Sequence, residues 1–365
     1  SAMTAKHLTV VISGMLCLAA AGLSGCSLMH DDLDPCPSGV DLKFVYDYNI
    51  QRADMFPDHV GGVTVYVFDR SGRYITQQED FNTAAEHPLA SHSYSMHLDL
   101  APGSYQFVAL AHQRGMADCL ADAGAKYRRT TMIPGQHSLS DLKVVLDRID
   151  GEVVNGGMHL DTLWHGMSAT PLEVRDMEAA SQTISLMRNT KNLTVSLHQL
   201  DDPAGIDSDD FDIKITASNG VTGHDNTPLA DESLTYTPYA TWTTEFPAAD
   251  EGDNENRTVQ ERTAHAALSF NRIIYDRTGA AYGSDALLTI YNKHSQKTVA
   301  TINLADCLAQ GRGAFEFYNY TPQEFLDREY DYKLDFFLKG DTWQYLDLKI
   351  SILSWSKRIQ RVQLD

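Results

Sequence analysis

Residues 61–75 read GGVTVYVFDRSGRYI, and this short stretch indicates the fold of the chain. Val63, Val65 and Val67 alternate with other residues, and a two-residue period of this kind is typical of a half-buried β-strand. The tetrapeptide DRSG at 69–72 has the composition of a tight turn, and RYI begins a second strand. The stretch therefore predicts a β-hairpin.

The same alternation continues on both sides of this hairpin. Upstream, DLKFVYDYNI at 41–50 places four large apolar or aromatic side chains on one face of a strand. Downstream, SYSMHLDLAPGSYQFVALAH at 93–112 predicts a second hairpin, in which Pro102 and Gly103 suit a type II turn.

Further strand patterns recur along the rest of the chain. They lie at 141–149, 182–189, 192–200, 210–218, 266–275, 286–292, 313–320, 330–340 and 343–353. Helical patterns are few and short: TPQEFLDREY at 321–330 has Thr321 as a cap and Glu324 in a capping box, and MADCLADAG at 116–124 ends at Gly124. The chain is therefore predicted to be all-β, built of β-sandwiches with a few short helices.

Length and composition favour two domains. Residues 1–25 read as a signal peptide, and the 340 of 365 residues that follow are long for one sandwich. Polar runs at 201–212 and 247–263 interrupt the strand pattern, and the first of them follows a predicted strand. We therefore predict an N-terminal domain over 38–200 and a C-terminal domain over 201–365.

The N-terminal segment contains one lysine followed by an apolar run, which is the pattern of a signal peptide. The run ends in a motif that resembles the lipobox of bacterial lipoproteins, formed by Leu23, Ser24, Gly25 and Cys26. The resemblance implies that the Cys26 thiol is diacylated, that residues 1–25 are removed and that 26–37 form a lipidated tether. The open alternatives are an ordinary secretory signal with a chance cysteine, and a buried apolar helix.

The charge of the chain limits its partners. The formal net charge is −20, and removal of residues 1–25 takes away one lysine and no acid, which leaves −21. Such a surface repels nucleic acid and anionic lipid headgroups, so neither is expected as a partner. Membrane attachment is expected to come from the Cys26 lipid, because several acyl chains hold a protein on a bilayer without spanning it.

Five cysteines are present, and two of them are assigned at the N-terminus. Cys17 leaves with the signal peptide and Cys26 carries the lipid, so Cys36, Cys119 and Cys307 remain. An exported protein can keep disulfides. Cys36 and Cys119 both lie in the first half of the chain, so they are the preferred pair, and Cys307 is predicted to be a buried free thiol. A zinc site is the weaker alternative, because no CxxC or HxxxH pair is present.

No catalytic or cofactor motif stands out in the sequence. It lacks GxGxxG, GxxxxGK[ST], HExxH and GxSxG. SDLK at 140–143 matches SxxK through Ser140, but this pattern is common by chance and its companion motifs are missing. Trp164 and His165 in DTLWHG are interpreted as packing and turn residues. No catalytic, cofactor or metal site is predicted, and a binding or structural protein is favoured over an enzyme.

One acidic cluster could bind Ca²⁺, because hard cations prefer carboxylates on loops. It consists of Asp207, Asp209, Asp210 and Asp212. The segment lacks the glycine and the terminal glutamate of an EF-hand loop, so the favoured interpretation is a solvated acidic loop.

Several stretches together resemble the FimB/Mfa2 family of fimbrial anchor proteins from Bacteroidales. The most specific stretch is DLDPCPSGVDLKFVYDYNIQRADMFPDHVGGVTVYVFDRSGRYI at 32–75. Weaker blocks follow in the expected order: LAPGSYQFVALA, DTLWHG, ISLMRNTKNLTVSL and ISILSWSKRIQRVQL. The resemblance spans nearly the whole chain after the signal peptide.

The resemblance implies two tandem transthyretin-like β-sandwich domains and a lipid anchor in the outer membrane that faces the exterior. It implies a role at the base of a type V pilus, where the anchor attaches the fimbria, helps to limit its length and binds pilin subunits by strand complementation. No lysine or arginine lies between Cys26 and Lys43, so a tryptic-type cleavage site is absent there and the lipid is expected to stay attached.

The main alternative is a glycan-binding surface lipoprotein, which also uses tandem β-sandwiches on a lipid tether. Such a protein is expected to present exposed aromatic platforms. The four tryptophans do not cluster along the sequence: Trp164, Trp242, Trp343 and Trp355.

Overall fold

The computed structural model describes residues 38–247, 259–313, 319–350 and 356–361. In these ranges the chain forms 23 β-strands and a few short helices, which confirms the all-β prediction. The α-helices are Phe56–His59, Met116–Ala121, Leu304–Ala309 and Pro322–Arg328, and the 3₁₀ helices are Pro88–Ala90, Leu139–Asp141, Ser208–Asp210 and Gln310–Gly313.

The strands are numbered in chain order. They are β1 (Val40–Val45), β2 (Gly62–Asp69), β3 (Tyr74–Phe81), β4 (Met96–Leu98), β5 (Gly103–His112), β6 (Tyr127–Arg129), β7 (Val144–Leu146), β8 (Glu152–Val153), β9 (Trp164–Met167), β10 (Leu172–Val174), β11 (Ala180–Ser185), β12 (Met187–Arg188), β13 (Lys191–Gln199), β14 (Phe211–Ala217), β15 (Val221–Thr222), β16 (Leu234–Tyr236), β17 (Ala240–Pro247), β18 (Val259–Phe270), β19 (Leu287–Asn292), β20 (Lys297–Asn303), β21 (Asp331–Lys339), β22 (Thr342–Ile350) and β23 (Ser356–Gln360).

The first sandwich packs a three-stranded sheet against a six-stranded one. The small sheet has the order β11-β1-β4, and the larger has the order β12-β9-β5-β2-β3 with β10 added to β5. Leu42 and Phe44 of β1 point into the same apolar core as Val65 of β2 and Phe107 of β5. The alternating side chains of β1 therefore bury one face of a short sheet against the larger sheet.

The second sandwich is formed by a six-stranded and a five-stranded sheet. Their orders are β17-β18-β13-β21-β22-β23 and β20-β19-β14-β16-β8. Leu197 of β13 and Phe336 of β21 face Ile215 of β14 and Leu288 of β19 in the core. A small third sheet, β15-β7-β6, lies beside the two sandwiches.

The same core continues from the second sandwich to the first. Through Tyr127 and Leu146 of the small sheet it reaches Tyr66, Phe68 and Leu110, which lie on the outer face of the six-stranded sheet of the first sandwich. The two sandwiches therefore share apolar contacts over a wide surface.

The strand β13 bears on the predicted domain division. The predicted N-terminal domain, 38–200, includes this strand, yet β13 pairs with β18 on one side and with β21 on the other, both in the second half of the chain. We propose that the division lies near residue 190, ahead of this strand.

The two predicted hairpins have different outcomes. The 61–75 hairpin is confirmed: β2 and β3 are antiparallel, and Gly72 closes the turn at φ +79°. The prediction of a hairpin at 93–112 is wrong. β4 pairs with β1 in one sheet and β5 pairs with β2 in the other, so the segment 99–102 crosses between sheets and Gly103 belongs to β5.

Most local signals of the short helices are found in the structure. The Thr321 hydroxyl accepts a hydrogen bond from the Glu324 amide at 3.1 Å, and the helix Pro322–Arg328 follows. The helix Met116–Ala121 ends ahead of Gly124, which has φ +88°. The predicted strand 313–320 lies mostly outside the described residues.

Candidate anchoring site: the tether junction and an open sheet edge

The strand that follows the predicted tether is embedded in the first sandwich. β1 lies in the middle of its sheet, parallel to β11 over six residue pairs and antiparallel to β4 over three. The side chains of Val40, Leu42 and Phe44 on its inner face are all buried, as is Tyr46 directly after the strand. The groove that this strand occupies is therefore filled by the chain itself.

The segment after β1 connects the first sandwich to the helix Pro322–Arg328 of the second half. The guanidinium of Arg328 lies 4.2 Å from the ring centroid of Tyr48, and Arg328 Nη1 donates to the Asn49 carbonyl at 3.3 Å. The Asn49 amide in turn donates to the carbonyls of Tyr46 and Ala53, both at 2.8 Å. These contacts tie the beginning of the fold to its C-terminal part.

A buried polar cluster lies beside this junction. Arg272 makes two hydrogen bonds to the Asp327 carboxylate, Nε to Oδ1 at 2.7 Å and Nη2 to Oδ2 at 3.0 Å. Lys191 Nζ donates to the carbonyls of Asp327 and Glu329 at 2.9 and 2.8 Å. Burial lowers the pKa of the Lys191 ammonium to about 7. Such a cluster is costly to bury and is stable only when every partner is present.

Arg188 sits in the same region between two aromatic rings. Its guanidinium carbon lies 4.1 Å from the ring centroid of Tyr330 and 5.8 Å from that of Trp164. The Trp164 ring is fully buried and meets Tyr46 edge-to-face at 5.7 Å. The interpretation of Trp164 as a packing residue is confirmed. His165 lies in β9 and not in a turn, so that part of the interpretation is wrong; it is buried, and its ring lies 2.6 Å from the His224 carbonyl.

Two buried histidines predict how the fold responds to acid. Burial lowers the pKa of His112 to about 3 and that of His165 to about 4. Between these values and about 6.5, the unfolded chain binds protons that the folded chain does not, so stability falls as the pH falls. For His112 the loss between pH 6.5 and pH 5 is about 2 kcal/mol, and we expect His112→Gln to remove most of it.

Urea unfolding at pH 7 and pH 5 measures this difference. His92 is exposed, so His92→Gln is the matched control and should keep the wild-type pH dependence. An unchanged pH dependence in His112→Gln would contradict the assignment.

The second sandwich presents an open edge at β17. This eight-residue strand pairs with β18 on one side, and no other described strand pairs with it. The side chains of Trp242 and Phe246 are 40% and 54% exposed on one face. Trp242 stacks on His265 of β18 with ring centroids 5.0 Å apart. A long, exposed edge strand with apolar side chains is a template for strand pairing.

Other edges of the second sandwich are less suited to pairing. β23 is five residues long and carries Lys357 and Arg358, and charged side chains on an edge discourage pairing. β20 pairs with β19 through a register shift inside the ladder, at Ile290 and Tyr291, and such a bulge twists an edge, whereas the shift in β17 falls at its last residue, Pro247. β8, the remaining edge, is only two residues long. β17 is therefore the best acceptor for an added strand among the edges of this sandwich that the structure describes.

On the outer face of the sheet that contains β17, aromatic and charged side chains of neighbouring strands stack on one another. Phe337 lies between His198 and Tyr345, with ring centroids 4.6 Å from each, and Arg358 stacks on Tyr345 at 4.1 Å. Cross-strand pairs of this kind stabilise a sheet. This face rigidifies the sheet behind the open edge.

No strand is predicted from the sequence at β17. The alternation of Ala240, Trp242, Thr244 and Phe246 is a strand signal in retrospect. Pro238 and Pro247 bracket the segment, and its threonines weaken the contrast between the two faces. The tether junction, by contrast, lies in a strand that the sequence did predict.

The predicted lipid site lies outside the described residues, as does one half of the predicted disulfide. Cys26, the three lipobox residues before it and Cys36 all fall within 1–37. Cys119 is buried, with its Sγ 3.8 Å from the Arg114 carbonyl oxygen. Because Cys36 lies outside the described residues, the Cys36–Cys119 disulfide stays a prediction. Cys307 is fully buried on the helix Leu304–Ala309, as predicted.

The acids of the 201–212 loop take part in backbone hydrogen bonds. The Asp207 carboxylate accepts from the Asp209 amide at 2.9 Å and caps the helix Ser208–Asp210, and the Asp201 carboxylate accepts from the Gly340 amide at 3.0 Å. In the parts of the chain that the structure describes, no three metal-ligating side chains gather into a group.

Three further properties bear on the predicted role. Ser140 is exposed in the 3₁₀ helix Leu139–Asp141, with its hydroxyl 3.2 Å from that of Ser138. Within the described ranges no helix is both long and apolar enough to pass through a lipid bilayer. Of the tryptophans in those ranges, Trp164 and Trp343 are buried and Trp242 is exposed.

Comparison with known proteins supports a fimbrial role. A curated relative, the minor fimbrium anchoring subunit Mfa2 of Porphyromonas gingivalis, is 27% identical over 244 residues, which cover 65% of this chain and 67% of the relative. A crystal structure of a putative adhesin from Bacteroides thetaiotaomicron is 28% identical and has a TM-score of 0.71, with coverage of 90% of this chain and all of that one.

The fold is also that of a solved anchor protein. The structure of the fimbrial anchor protein Mfa2 from Porphyromonas gingivalis matches with a TM-score of 0.60 at 17% identity, over 87% of this chain and 98% of that one. The family model described as "Fimbrillin-A associated anchor proteins Mfa1 and Mfa2" matches residues 33–361. With its fold and nearly its whole length matched, the chain belongs to this family of fimbrial anchor proteins.

Proposed function

We propose that this protein is a non-catalytic lipoprotein of the outer membrane that holds a fimbria at its base and faces the exterior. In this proposal, lipid on Cys26 attaches the protein to the membrane, and its partners are pilin subunits. The observation that carries the proposal is the position of β1: the strand directly after the predicted tether lies in the centre of its sheet with its inner face buried.

The position of β1 also supports a role in limiting fimbrial length. A subunit that accepts a partner's strand in this groove must first vacate it. Here Leu42 and Phe44 fill the groove, and the chain after β1 continues to Tyr48, on which Arg328 stacks. Removal of β1 would therefore break contacts in the core of the first sandwich and the contact between Tyr48 and Arg328. No further subunit is added at this position, and the polymer ends here.

A partner strand therefore needs a different edge, and we assign it to β17. Strand addition gains main-chain hydrogen bonds along the edge and specificity from side-chain contacts. β17 supplies seven residues of regular edge, 240–246, before the register shift at Pro247, and its two exposed aromatic side chains, Trp242 and Phe246, are the contact points for the added strand.

The edge is tested by a pull-down of pilin subunits with the purified protein. We expect the double variant Trp242→Asp and Phe246→Asp to retain pilin at least about tenfold more weakly than the wild type, since charges on an edge oppose pairing and about 1.4 kcal/mol corresponds to tenfold. Ile75 lies on β3, an edge of the first sandwich, and is 38% exposed, so Ile75→Asp is the matched control and should bind normally.

Two results would contradict the proposal. Equal retention by the double variant and the wild type would remove β17 as the acceptor. Loss of pilin in Ile75→Asp alone would move the acceptor to the first sandwich.

A further inference from the structure

The two outer faces of the second sandwich differ in how their polar side chains are satisfied. On the six-stranded sheet, the polar groups pair with one another: the His265 ring lies 2.7 Å from the Ser196 hydroxyl, and Lys349 Nζ donates to Asp335 at 2.7 Å. Arg358 and Asp347 form a further ion pair at 2.9 Å. These polar side chains therefore bind one another on this face.

The outer face of the five-stranded sheet instead forms the floor of an open cleft. The cleft has a volume of about 660 Å³, and Ser208, Asp209, Pro238 and Thr241 also line it. Its volume falls within the range of about 300–1,000 Å³ that small-molecule sites occupy.

Strand register brings complementary polar groups together on this floor. Tyr291 of β19 lies opposite Asp212 of β14 and Thr298 of β20. Lys214 lies opposite Thr289 on the next row that faces the same side. Hydroxyl groups are the commonest polar groups in the lining, and the threonines that supply them are Thr235, Thr237, Thr241, Thr289 and Thr298.

Three of these side chains form no hydrogen bond with any other described residue. Across 38–247, 259–313 and the two later described ranges, the side chains of Tyr291, Lys214 and Thr289 make no hydrogen bond within the chain. Lys293 makes one long ion pair, 3.9 Å from Asp212. The cleft thus presents donors and acceptors that water or a ligand must satisfy.

We propose that this cleft binds a neutral oligosaccharide. A sugar carries many hydroxyl groups that both donate and accept, which matches a lining of hydroxyls, two lysines and three acids. The half-buried ring of Tyr291 offers a flat apolar surface for the C–H face of a sugar ring.

The charge of the site selects against other polymers. Lys214 and Lys293 are outnumbered by Glu152, Asp209 and Asp212, and the whole chain has a net charge of −20, so anionic polysaccharides are repelled. The apolar lining is too small to hold an apolar peptide strand by burial. The neutral, hydroxyl-rich class of ligand fits both the charge balance and the polarity.

An array of immobilised neutral glucan, mannan and xylan oligosaccharides tests the proposal with the purified full chain, and heparin fragments serve as anionic probes. We expect the wild type to retain at least one neutral class and no heparin. Tyr291→Ala and the exposed Lys214→Ala should each weaken that binding about tenfold, the effect of losing one good contact. Tyr345→Ala changes a tyrosine on the other outer face and should bind as the wild type does.

Three outcomes would overturn the proposal: no retention of any neutral oligosaccharide, stronger retention of heparin than of neutral sugars, or equal loss in Tyr345→Ala and Tyr291→Ala. Thermal unfolding of each variant separates loss of the site from loss of the fold. The result is independent of fimbrial anchoring, because Tyr291→Ala should keep its pilin binding while the Trp242 and Phe246 double variant should keep its oligosaccharide binding.

Discussion

Replacement of Asp327 by alanine is expected to lower the free energy of unfolding by about 3–5 kcal/mol, because removal of one partner from a buried ion pair leaves the other charge without compensation. Asp327 is 3% exposed and accepts two hydrogen bonds from Arg272, whose side chain is 12% exposed. The Asp327 side chain also accepts from Gln323 Nε2 at 3.1 Å, so its loss also removes a contact inside the helix.

Urea unfolding at neutral pH, followed by tryptophan fluorescence, measures this loss. The matched control is Glu178→Ala, which removes an acid from an ion pair with Arg175 at 3.7 Å in which both side chains are more than 60% exposed. That change should cost less than about 1 kcal/mol, as is usual for surface pairs. Equal destabilisation by the two substitutions would show that the buried cluster does not carry the stability assigned to it.

Replacement of Cys26 by alanine is expected to move the protein from the membrane fraction to the soluble fraction almost completely. A single acyl chain binds a bilayer only marginally and several chains bind it stably, so loss of the thiol removes the whole attachment. The net charge of −20 provides no electrostatic attraction to anionic lipid that could replace it.

Cell fractionation followed by detection of the protein in each fraction tests this expectation. Cys36 lies ten residues further along the chain, so Cys36→Ala controls for the loss of a cysteine and should stay with the membrane. A Cys26→Ala variant that remains in the membrane fraction would reject lipid attachment at this residue.

Signals that act over a few residues were readable from the sequence. The turn at 69–72 and the Thr321 cap each depend on neighbours within four residues, and both are found as predicted. The alternation at 93–112 correctly predicted two strands. A two-residue period does not, however, indicate which other strand each of them pairs with. β4 and β5 therefore lie in different sheets although a turn-like segment joins them.

The buried cluster could not be predicted in the same way. Lys191 and Asp327 are 136 residues apart, and in sequence each looks like an ordinary polar residue at the end of an element. Only the parallel pairing of β13 with β21 brings the two regions together. The predicted domain division near 200 has the same origin, because the acidic run after β13 can be read from the sequence, whereas the pairing of β13 with β18 and β21 cannot.

The parallel pairing of β1 with β11 also has a mechanical consequence. In the proposed arrangement, with lipid at Cys26 and a fimbria bound to the protein, a pull on the fimbria would load β1 along its own axis. Its hydrogen bonds to β11 and β4 then lie across the direction of load and are sheared together instead of being opened one after another. Beyond β1, the stacking of Arg328 on Tyr48 would pass part of the load to the second sandwich.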